Sequence, residues 1–301
     1  MKMQDLSSQI KNTRRESPRQ YDDGFAVSRA SLSQLARLNW TSPVYSKPFT
    51  RSTLKAIQNV LAEDSAHLEL PEWDSIDKKR SAAVLIPFCN VLEKPGILLQ
   101  VRARALRSHS GEVSFPGGRV DELLDSSLLD TAFRETSEEM NISVDRLELL
   151  GSVGPPERSL HGHTVWPFVG FVHANANTNR LSADSDEPLP SIDLSAMKRT
   201  VSQDEVAAIF HLPLMELASP SRRRRYLFRN ERPYWAVEVS DLVTAEDGSQ
   251  FISSSVEESM EDEVGSGREG RLEVWGLTGW YLGLLSDKLD MLNTLESGAD
   301  L

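Results

Sequence analysis

Three glutamates are spaced so that an α-helix would present them together. Glu135, Glu138 and Glu139 occupy positions i, i+3 and i+4, which share one helix face. Carboxylates gathered in this way repel one another, so a folded protein that keeps them together needs a compensating charge. A hard divalent cation such as Mg²⁺ or Mn²⁺ takes oxygen ligands and also holds substrate phosphates. The pattern therefore favours a metal site that acts on a phosphorylated substrate.

The residues around the three glutamates predict the helix that carries them. Arg134 precedes Glu138 by one helical turn, so its guanidinium could pair with that carboxylate and fix its rotamer. Asp125 or Ser126 is the expected N-cap, and Asn141 is expected to end the helix in the left-handed conformation. Apolar residues on the opposite face predict a buried stripe of Leu128, Leu129, Ala132, Phe133 and Met140.

A solvated surface is the main alternative for such a cluster, because acidic groups on helices are more often exposed faces than metal sites. Three features weigh against that interpretation here. A glycine turn precedes the helix, an arginine lies within the cluster, and the back of the helix is apolar.

Residues 117–142 resemble the Nudix box, whose pattern is Gly-x5-Glu-x7-Arg-Glu-U-x-Glu-Glu-x-Gly-U, with U an aliphatic residue. The second half of this pattern is matched by Arg134, Glu135, Glu138, Glu139 and Ile142. Thr136 replaces an aliphatic residue, Asn141 replaces the terminal glycine, and Asp125 replaces the upstream glutamate. None of these departures removes a carboxylate from the helix.

The segment before the box carries three arginines, Arg102, Arg104 and Arg107, which could bind phosphate oxygens by paired hydrogen bonds. It resembles the signature of the coenzyme A diphosphatase branch of the Nudix family, Leu-Leu-Thr-x-Arg-(Ser/Ala)-x3-Arg-x3-Gly-x3-Phe-Pro-Gly-Gly. The matching residues are Leu98, Leu99, Arg102, Ala103, Arg107, Gly111, Phe115, Pro116, Gly117 and Gly118. The same branch has an aspartate in place of the upstream glutamate of the box, which accounts for Asp125.

The resemblance implies an α/β fold, the Nudix α/β/α sandwich with a mixed β-sheet. It implies a hydrolase that cleaves the diphosphate of coenzyme A or acyl-CoA into 3′,5′-ADP and 4′-phosphopantetheine or its acyl form, with Mg²⁺ or Mn²⁺ as cofactor. The implied metal ligands are Glu135, Glu138 and Glu139. The implied substrate-binding residues are Arg102, Arg107, Gly117 and Gly118.

The residues expected to take part in catalysis are Glu138, Glu139, Arg134 and Glu205. Glu138, Glu139 or Glu205 would take the proton of the attacking water, and Arg134 would fix a carboxylate rotamer. Glu205 lies outside the box and is about as well explained as an ordinary helix-initiating acid. The identity of the base therefore stays open.

Two other functions stay open. One is a Nudix hydrolase for another nucleoside-diphosphate derivative, such as a nucleotide sugar, ADP-ribose or capped RNA. The other is a non-catalytic Nudix-like module that binds coenzyme A, which the complete set of carboxylates disfavours.

Composition limits the partners and the compartment. The 301 residues carry a net charge of −12 without a broad basic face, which argues against nucleic-acid binding. No apolar run is long enough to cross a bilayer, and the single Cys89 excludes an internal disulfide and suits a reducing compartment. We therefore expect a soluble intracellular protein. Peroxisome, mitochondrion and cytosol remain open, as does the oligomeric state.

The chain divides into three expected parts. Residues 1–77 are an N-terminal extension, partly disordered, with helices at 28–38 and 50–64. Residues 78–294 are the expected Nudix hydrolase domain, in which the apolar run at residues 82–87 predicts a buried strand, and residues 295–301 are a tail. Within the domain, residues 245–270 contain eight acids against one base, which predicts a disordered insertion.

Two further groups of residues have side chains that could bind phosphate or zinc. The run from Arg222 to Arg225 could receive the 3′-phosphate of coenzyme A, although a solvated turn is the commoner explanation. His161 and His163 lack the additional ligands that a zinc site needs, so zinc is not expected. His109 is expected to form a hydrogen bond within its own loop.

Overall fold

The computed structural model describes residues 43–65, 71–106, 109–176, 186–243 and 271–298. The helix at 28–38, Arg107, the acidic segment 245–270 and the last three residues lie outside these ranges and stay predictions. No helix in the described ranges is both long and apolar enough to cross a bilayer.

The described residues form α-helices and short 3₁₀ turns. The α-helices are α1 (Pro43–Ser46), α2 (Arg51–Ser65), α3 (Leu128–Met140), α4 (Leu194–Lys198), α5 (Leu214–Leu217) and α6 (Gly276–Gly298). The 3₁₀ turns span Trp73–Ser75, Lys78–Arg80, Val144–Arg146 and Pro220–Arg222. Helix α2 confirms the helix predicted at 50–64, and α6 continues past the predicted end of the domain at residue 294.

The strands form one large and one small sheet. They are β1 (Ser81–Val91), β2 (Lys94–Arg102), β3 (Val113–Ser114), β4 (Gly117–Arg119), β5 (Leu147–Ser152), β6 (Glu157–Arg158), β7 (Thr164–Val172), β8 (Val206–Pro213), β9 (Arg223–Phe228), β10 (Arg232–Glu238) and β11 (Glu273–Val274). The large sheet has the order β3-β2-β1-β7-β5, with β4 paired to β1, β6 to β7 and β8 to β2. Strands β1 and β7 run parallel, whereas β2 and β4 pair antiparallel with β1, so the sheet is mixed.

Strand β1 is the centre of the fold because its side chains enter two hydrophobic cores in alternation. Ile86 and Phe88 belong to one core, which α2, α6 and the small sheet complete. Leu85 and Cys89 belong to the other core, which α3 covers. A strand that is buried on both faces reads as the continuous apolar run seen in the sequence. The helices on both sides of a mixed sheet confirm the predicted α/β/α sandwich.

Helix α3 begins later along the chain than the sequence analysis predicted. The N-cap is Ser127, whose side chain accepts a hydrogen bond from the Asp130 N–H at 3.0 Å, so the prediction of Asp125 or Ser126 was wrong. The side chain of Asp125 points into the protein and binds Arg134, as described below. Asn141 ends the helix in the left-handed conformation, with φ 50° and ψ 48°, as predicted.

The buried face of α3 includes two threonines as well as the predicted apolar stripe. Leu128, Ala132 and Met140 are buried, and Leu129 and Phe133 pack partly buried against the same core. Thr131 and Thr136 are also buried. The Thr136 hydroxyl donates to the Ala132 carbonyl at 2.7 Å, so its polar group is satisfied where the Nudix pattern has an aliphatic residue.

Candidate functional site

The three glutamates of α3 differ in their exposure to solvent. Glu139 is buried, Glu135 is partly buried and Glu138 is exposed. The three carboxylates therefore extend from the protein core to the surface, because this face of the helix lies at the boundary between protein and solvent.

Glu139 is held by groups from two neighbouring strands. Its Oε2 accepts a hydrogen bond from Gln100 Nε2 in β2 at 2.8 Å and another from the Gly117 N–H in β4 at 2.9 Å. Arg102 Nη1, also in β2, lies 3.6 Å from its Oε1. Gln100 and Arg102 are two positions apart in one strand, so both side chains project from the same face of the sheet.

Burial dominates the electrostatics of this carboxyl group. Desolvation, together with the charge of Glu135, raises the pKa of Glu139 to about 7, although Gly117, Gln100 and Arg102 act in the opposite direction. Burial also raises the pKa of Glu135, to which the charges of Glu138 and Glu205 contribute, against the effect of Arg134. The site therefore gathers negative charge at a cost in free energy, which a bound cation would relieve.

The glycine turn allows the carboxylates to approach the backbone. A Cβ on Gly118 would lie 2.4 Å from the carboxyl carbon of Glu135. Gly117 has φ +150°, and a Cβ there would lie 2.4 Å from the Ala83 carbonyl oxygen. A larger residue at Gly117 would collide with the backbone of β1, whereas a larger residue at Gly118 would displace the end of the Glu135 side chain.

Arg134 orients the acidic groups. Its Nε and Nη2 donate to the two carboxylate oxygens of Asp125 at 2.7 and 3.0 Å. Its Nη1 donates to Glu135 Oε1 and to Glu138 Oε2, each at 3.0 Å. The predicted pair with Glu138 is thus present as one contact among several, and the bidentate partner is Asp125.

Asp125 is an ionised group inside the protein. Burial alone would raise its pKa, but hydrogen bonds from Arg134, the Asp121 N–H and the Thr131 hydroxyl outweigh that effect and lower it. The Thr131 hydroxyl lies 2.8 Å from Asp125 Oδ2. Asp125 thus anchors Arg134 and, through it, the rotamers of the helix carboxylates.

Glu205 lies just before β8, beside the arginine of β2. Its carbonyl accepts a hydrogen bond from the Ala103 N–H at 2.9 Å. Its side chain is exposed, and its charge contributes to the raised pKa of Glu135. The pairing of β2 with β8 therefore brings this distant acid to the same end of the sheet as the helix carboxylates.

A cavity of about 450 Å³ lies beside the glycine turn. Residues from both sheets and from the start of α6 line it, among them Arg102, His109, Phe115, Gly117, Gly118 and Trp275. Several of these belong to the segment that precedes the box. His109 also forms its predicted local hydrogen bond, with Nδ1 2.8 Å from Glu112 Oε2.

Sequence reasoning missed two residues that contact the buried glutamate. Gln100 stands where the quoted signature has threonine and had no predicted role, and the Gly117 N–H had no predicted role as a donor. The period-two alternation of β2 could have placed Gln100 beside Arg102. The contact with Gly117 had no sequence signal, because it depends on how β4 lies against α3.

The carboxylate oxygens of α3 are of the type that a hard cation binds, although they do not converge on one point. Within the described ranges, no three histidine, cysteine or acidic side chains form a ready-made metal site. Arg134 holds the ends of Glu135 and Glu138, while the Oε1 of Gln100 is buried without a hydrogen-bond partner. The oxygen-only set of carboxylates suits Mg²⁺ or Mn²⁺ better than softer ions.

The arginine run of β9 lies elsewhere and is largely paired. Arg222 binds Glu216 and Asp241, each at 2.6 Å, and Arg224 Nε lies 3.1 Å from Glu273. The Arg223 Nε donates to the Leu217 carbonyl at 3.1 Å. None of these arginines lines the cavity.

Comparison with known proteins finds one matching family model. The NUDIX domain family model matches residues 78–224, just under half of the chain. The matched range contains the glycine turn, α3 and Glu205.

Curated bacterial relatives agree with this match. "Uncharacterized Nudix hydrolase NudL" of Enterobacter sp. (strain 638) is 40% identical over 144 residues, covering 48% of this chain and 62% of that protein. The protein of the same name from Cronobacter sakazakii is 40% identical over 138 residues, covering 46% of this chain and 59% of its own length. The chain thus spans about three fifths of the length of these relatives.

Solved structures show weaker similarity. An Ap4A hydrolase of C. elegans has a TM-score of 0.30 at 18% identity, covering 44% of this chain and 78% of that one. The NUDIX domain of Shewanella oneidensis NrtR, complexed with ADP ribose, has a TM-score of 0.30 at 18% identity, covering 50% and 83%. These similarities support no conclusion about substrate. The family match, the mixed sheet between helices and the acidic helix beside its glycine turn make residues 78–224 similar to a NUDIX domain.

Proposed function

We propose that this protein is a metal-dependent diphosphatase of coenzyme A and acyl-CoA. Its products would be 3′,5′-ADP and 4′-phosphopantetheine or its acyl form. The observation that carries the proposal is the position of Glu139, buried between Gly117, Gln100 and Arg102 where the glycine turn meets the cavity. The names of the bacterial relatives support the reaction class, and the segment before the box supports the substrate.

Glu135, Glu138 and Glu139 would hold Mg²⁺ or Mn²⁺. When bound, such an ion neutralises diphosphate oxygens and lowers the pKa of a water molecule. Glu135 and Glu138 would have to turn away from Arg134 to bind it, while Arg134 would keep its bidentate pair with Asp125. The raised pKa values of Glu135 and Glu139 support this assignment, because two buried carboxylates without a cation are costly.

The chain itself would bind and orient the diphosphate. Arg102 lines the cavity and lies within ion-pair distance of Glu139, so its guanidinium can reach both the substrate and the buried carboxylate. Gly117 and Gly118 line the same cavity and lack side chains, so they allow a phosphate to approach the backbone closely. These contacts would hold the anhydride next to the acidic face of α3.

Hydrolysis would proceed by direct attack of water on one phosphorus atom. The water oxygen forms a bond to phosphorus, the bridging P–O bond breaks, and the departing phosphate takes the bridging oxygen. A carboxylate, Glu138, Glu139 or Glu205, takes the proton of the water. No covalent enzyme intermediate is invoked, because no activated nucleophile pair lies in the described site.

Incubation of the purified protein with coenzyme A and Mn²⁺ or Mg²⁺ tests the proposal. We expect chromatography to show 3′,5′-ADP and 4′-phosphopantetheine in equal amounts, with the products absent when the metal is chelated. ADP-ribose is the matched competitor substrate. A higher kcat/KM for ADP-ribose than for coenzyme A would contradict the proposed substrate, and binding of coenzyme A without hydrolysis would contradict catalysis.

A further inference from the structure

Basic side chains line the cavity next to the glycine turn, among them two arginines and two histidines outside the segment that precedes the box. Arg119 belongs to β4, Arg158 belongs to β6, and His161 and His163 lie in the loop that leads to β7. We refer to these four residues as the basic rim. Strands β4 and β7 both pair with β1, so the sheet itself brings the rim together from separate segments.

The rim has little compensating negative charge. The acid that lines the cavity is Glu112, which binds His109. Within the described ranges, neither Arg119 nor Arg158 has a carboxylate within ion-pair distance, whereas Arg102, Arg134 and Arg222 each have one. In a chain with a net charge of −12, such unpaired arginines around one cavity are unexpected unless a ligand supplies the charge.

The histidines confirm that positive groups crowd this part of the cavity. Burial lowers the pKa of His163, and the charges of Arg119, His161 and Arg80 add to that effect. The rings of His109 and His161 lie with their centroids 5.0 Å apart. An anion in the cavity would relieve the positive potential that lowers the pKa of His163.

The rim is distinct from the groups assigned to the diphosphate. Those groups are Arg102 and the glycine turn, which lie against Glu139. The rim adds further positive charge in the same cavity. A substrate that carries only a diphosphate would leave that charge without a partner.

We propose that Arg119, Arg158, His161 and His163 form a subsite for a phosphate monoester that the substrate carries in addition to its diphosphate. This inference rests on the proposed function, and in coenzyme A the group is the 3′-phosphate. A phosphate monoester presents up to two negative charges and three acceptor oxygens, which arginine and histidine donors can share. The run from Arg222 to Arg225 is the rival location, but it lies outside the cavity, and Arg222 and Arg224 are paired with acids.

Comparison of coenzyme A with 3′-dephospho-coenzyme A tests the subsite. We expect the wild-type protein to show a kcat/KM about tenfold or more higher for coenzyme A, the factor expected for one charge-assisted hydrogen bond. Arg119→Ala and Arg158→Ala should each reduce that ratio, with the kcat/KM for the dephospho compound unchanged. Arg225→Ala, an exposed arginine outside the cavity, should keep the wild-type ratio.

Several outcomes would overturn the inference. Equal kcat/KM values for the two compounds in the wild-type protein would do so, and so would loss of the preference in Arg225→Ala alone. Equal losses for both compounds in Arg119→Ala would assign Arg119 a general role instead of a subsite.

A binding measurement separates this inference from the proposed function. If neither compound is hydrolysed, the proposed function fails, but calorimetry with 3′,5′-ADP and 5′-AMP still tests the rim. Tighter binding of 3′,5′-ADP that disappears in Arg119→Ala would support the subsite. Equal affinity for the two nucleotides would overturn it.

Discussion

At the scale of single residues, the acidic site depends on a shell of contacts that hold a few carboxylates in place. Glu139 contacts Gln100, Gly117 and Arg102. Arg134 binds Asp125 on one side and the helix carboxylates Glu135 and Glu138 on the other. The types and spacing of the helix residues predicted the cluster and the pair between Arg134 and Glu138. They did not predict Gln100 or the role of Asp125, because those contacts join segments that are distant along the chain.

Glu139→Gln is expected to lower kcat for coenzyme A by about two orders of magnitude or more, because it removes a proposed metal ligand and candidate base. The melting temperature should stay the same or rise, since an amide avoids the cost of burying a charge. Kinetics with Mn²⁺ and thermal unfolding measure both effects. Glu93→Gln, in the exposed hairpin turn, is the control. A small loss of kcat would place the metal site elsewhere.

Arg134→Ala is expected to lower the free energy of unfolding by roughly 3 kcal/mol, because it leaves the buried Asp125 carboxylate without its cationic partner. Urea unfolding of the single variants and of the double variant with Asp125→Ala measures the coupling between the two residues. The double variant should be less destabilised than the sum of the single variants. Additive effects would contradict the assigned pair.

At the scale of elements, the glycine turn decides how closely α3 approaches the sheet. Its position before an acidic helix was visible in the sequence, and so were the buried strand β1 and the left-handed end of α3 at Asn141. The N-cap was mispredicted because Asp125, Ser126 and Ser127 are all good capping residues. The tertiary contact of Asp125 with Arg134 left Ser127 to cap the helix.

Gly118→Ala is expected to reduce kcat strongly while the melting temperature changes little. The new Cβ would lie 2.4 Å from the Glu135 carboxyl carbon, and a flexible side-chain end can move away without disturbing the backbone. Gly117→Ala should also lower the melting temperature, because its Cβ would meet the backbone of β1. Steady-state kinetics and thermal unfolding distinguish the two variants.

Gly283→Ala in α6 is the matched control for these variants. A Cβ there meets no atom within 4 Å, so activity should persist. Stability should rise by up to about 1 kcal/mol from helix propensity. Full activity in Gly118→Ala would show that the position of Glu135 is not critical.

At the scale of the whole molecule, a partly buried charge cluster joins the first and last described helices. The Tyr45 hydroxyl in α1 donates to Asp290 in α6 at 2.5 Å. Burial raises the pKa of Asp287 to about 7, and Asp290 adds to the effect while Lys288 and Arg223 oppose it. A change in the charge of Asp287 with pH therefore acts on the contact between α1 and α6.

Asp287→Asn is expected to stabilise the protein at pH 8 and to have little effect near pH 4. The folded protein keeps the Asp287 proton up to about pH 7, whereas the unfolded chain loses it near the ordinary value of 3.8, so wild-type stability falls as pH rises between these values. Asparagine removes that loss, for a gain on the order of 1–2 kcal/mol at pH 8. Urea unfolding at both pH values measures it.

Asp74→Asn replaces an exposed carboxyl on a 3₁₀ turn and serves as the control for charge removal alone. Its stability relative to the wild type should be the same at both pH values. An equal gain for Asp287→Asn at pH 4 and pH 8 would contradict the raised pKa of Asp287.

The amino-acid sequence by itself determined the local features of this protein. These include the central strand, the acidic helix with its apolar back and the glycine turn. All of them follow from periodicity, capping and spacing within a few turns of chain, where local geometry dictates which side chains lie together.

Only the tertiary structure decided which distant residues complete the site. The pairing of β2 with β8 placed Glu205 beside Arg102, and the pairing of β4 and β7 with β1 gathered the basic rim. In the arginine run that was considered for the 3′-phosphate, Arg222 and Arg224 instead have acidic partners from other segments. Strand register sets these distances, and register depends on how the two cores pack, which no short stretch of sequence contains.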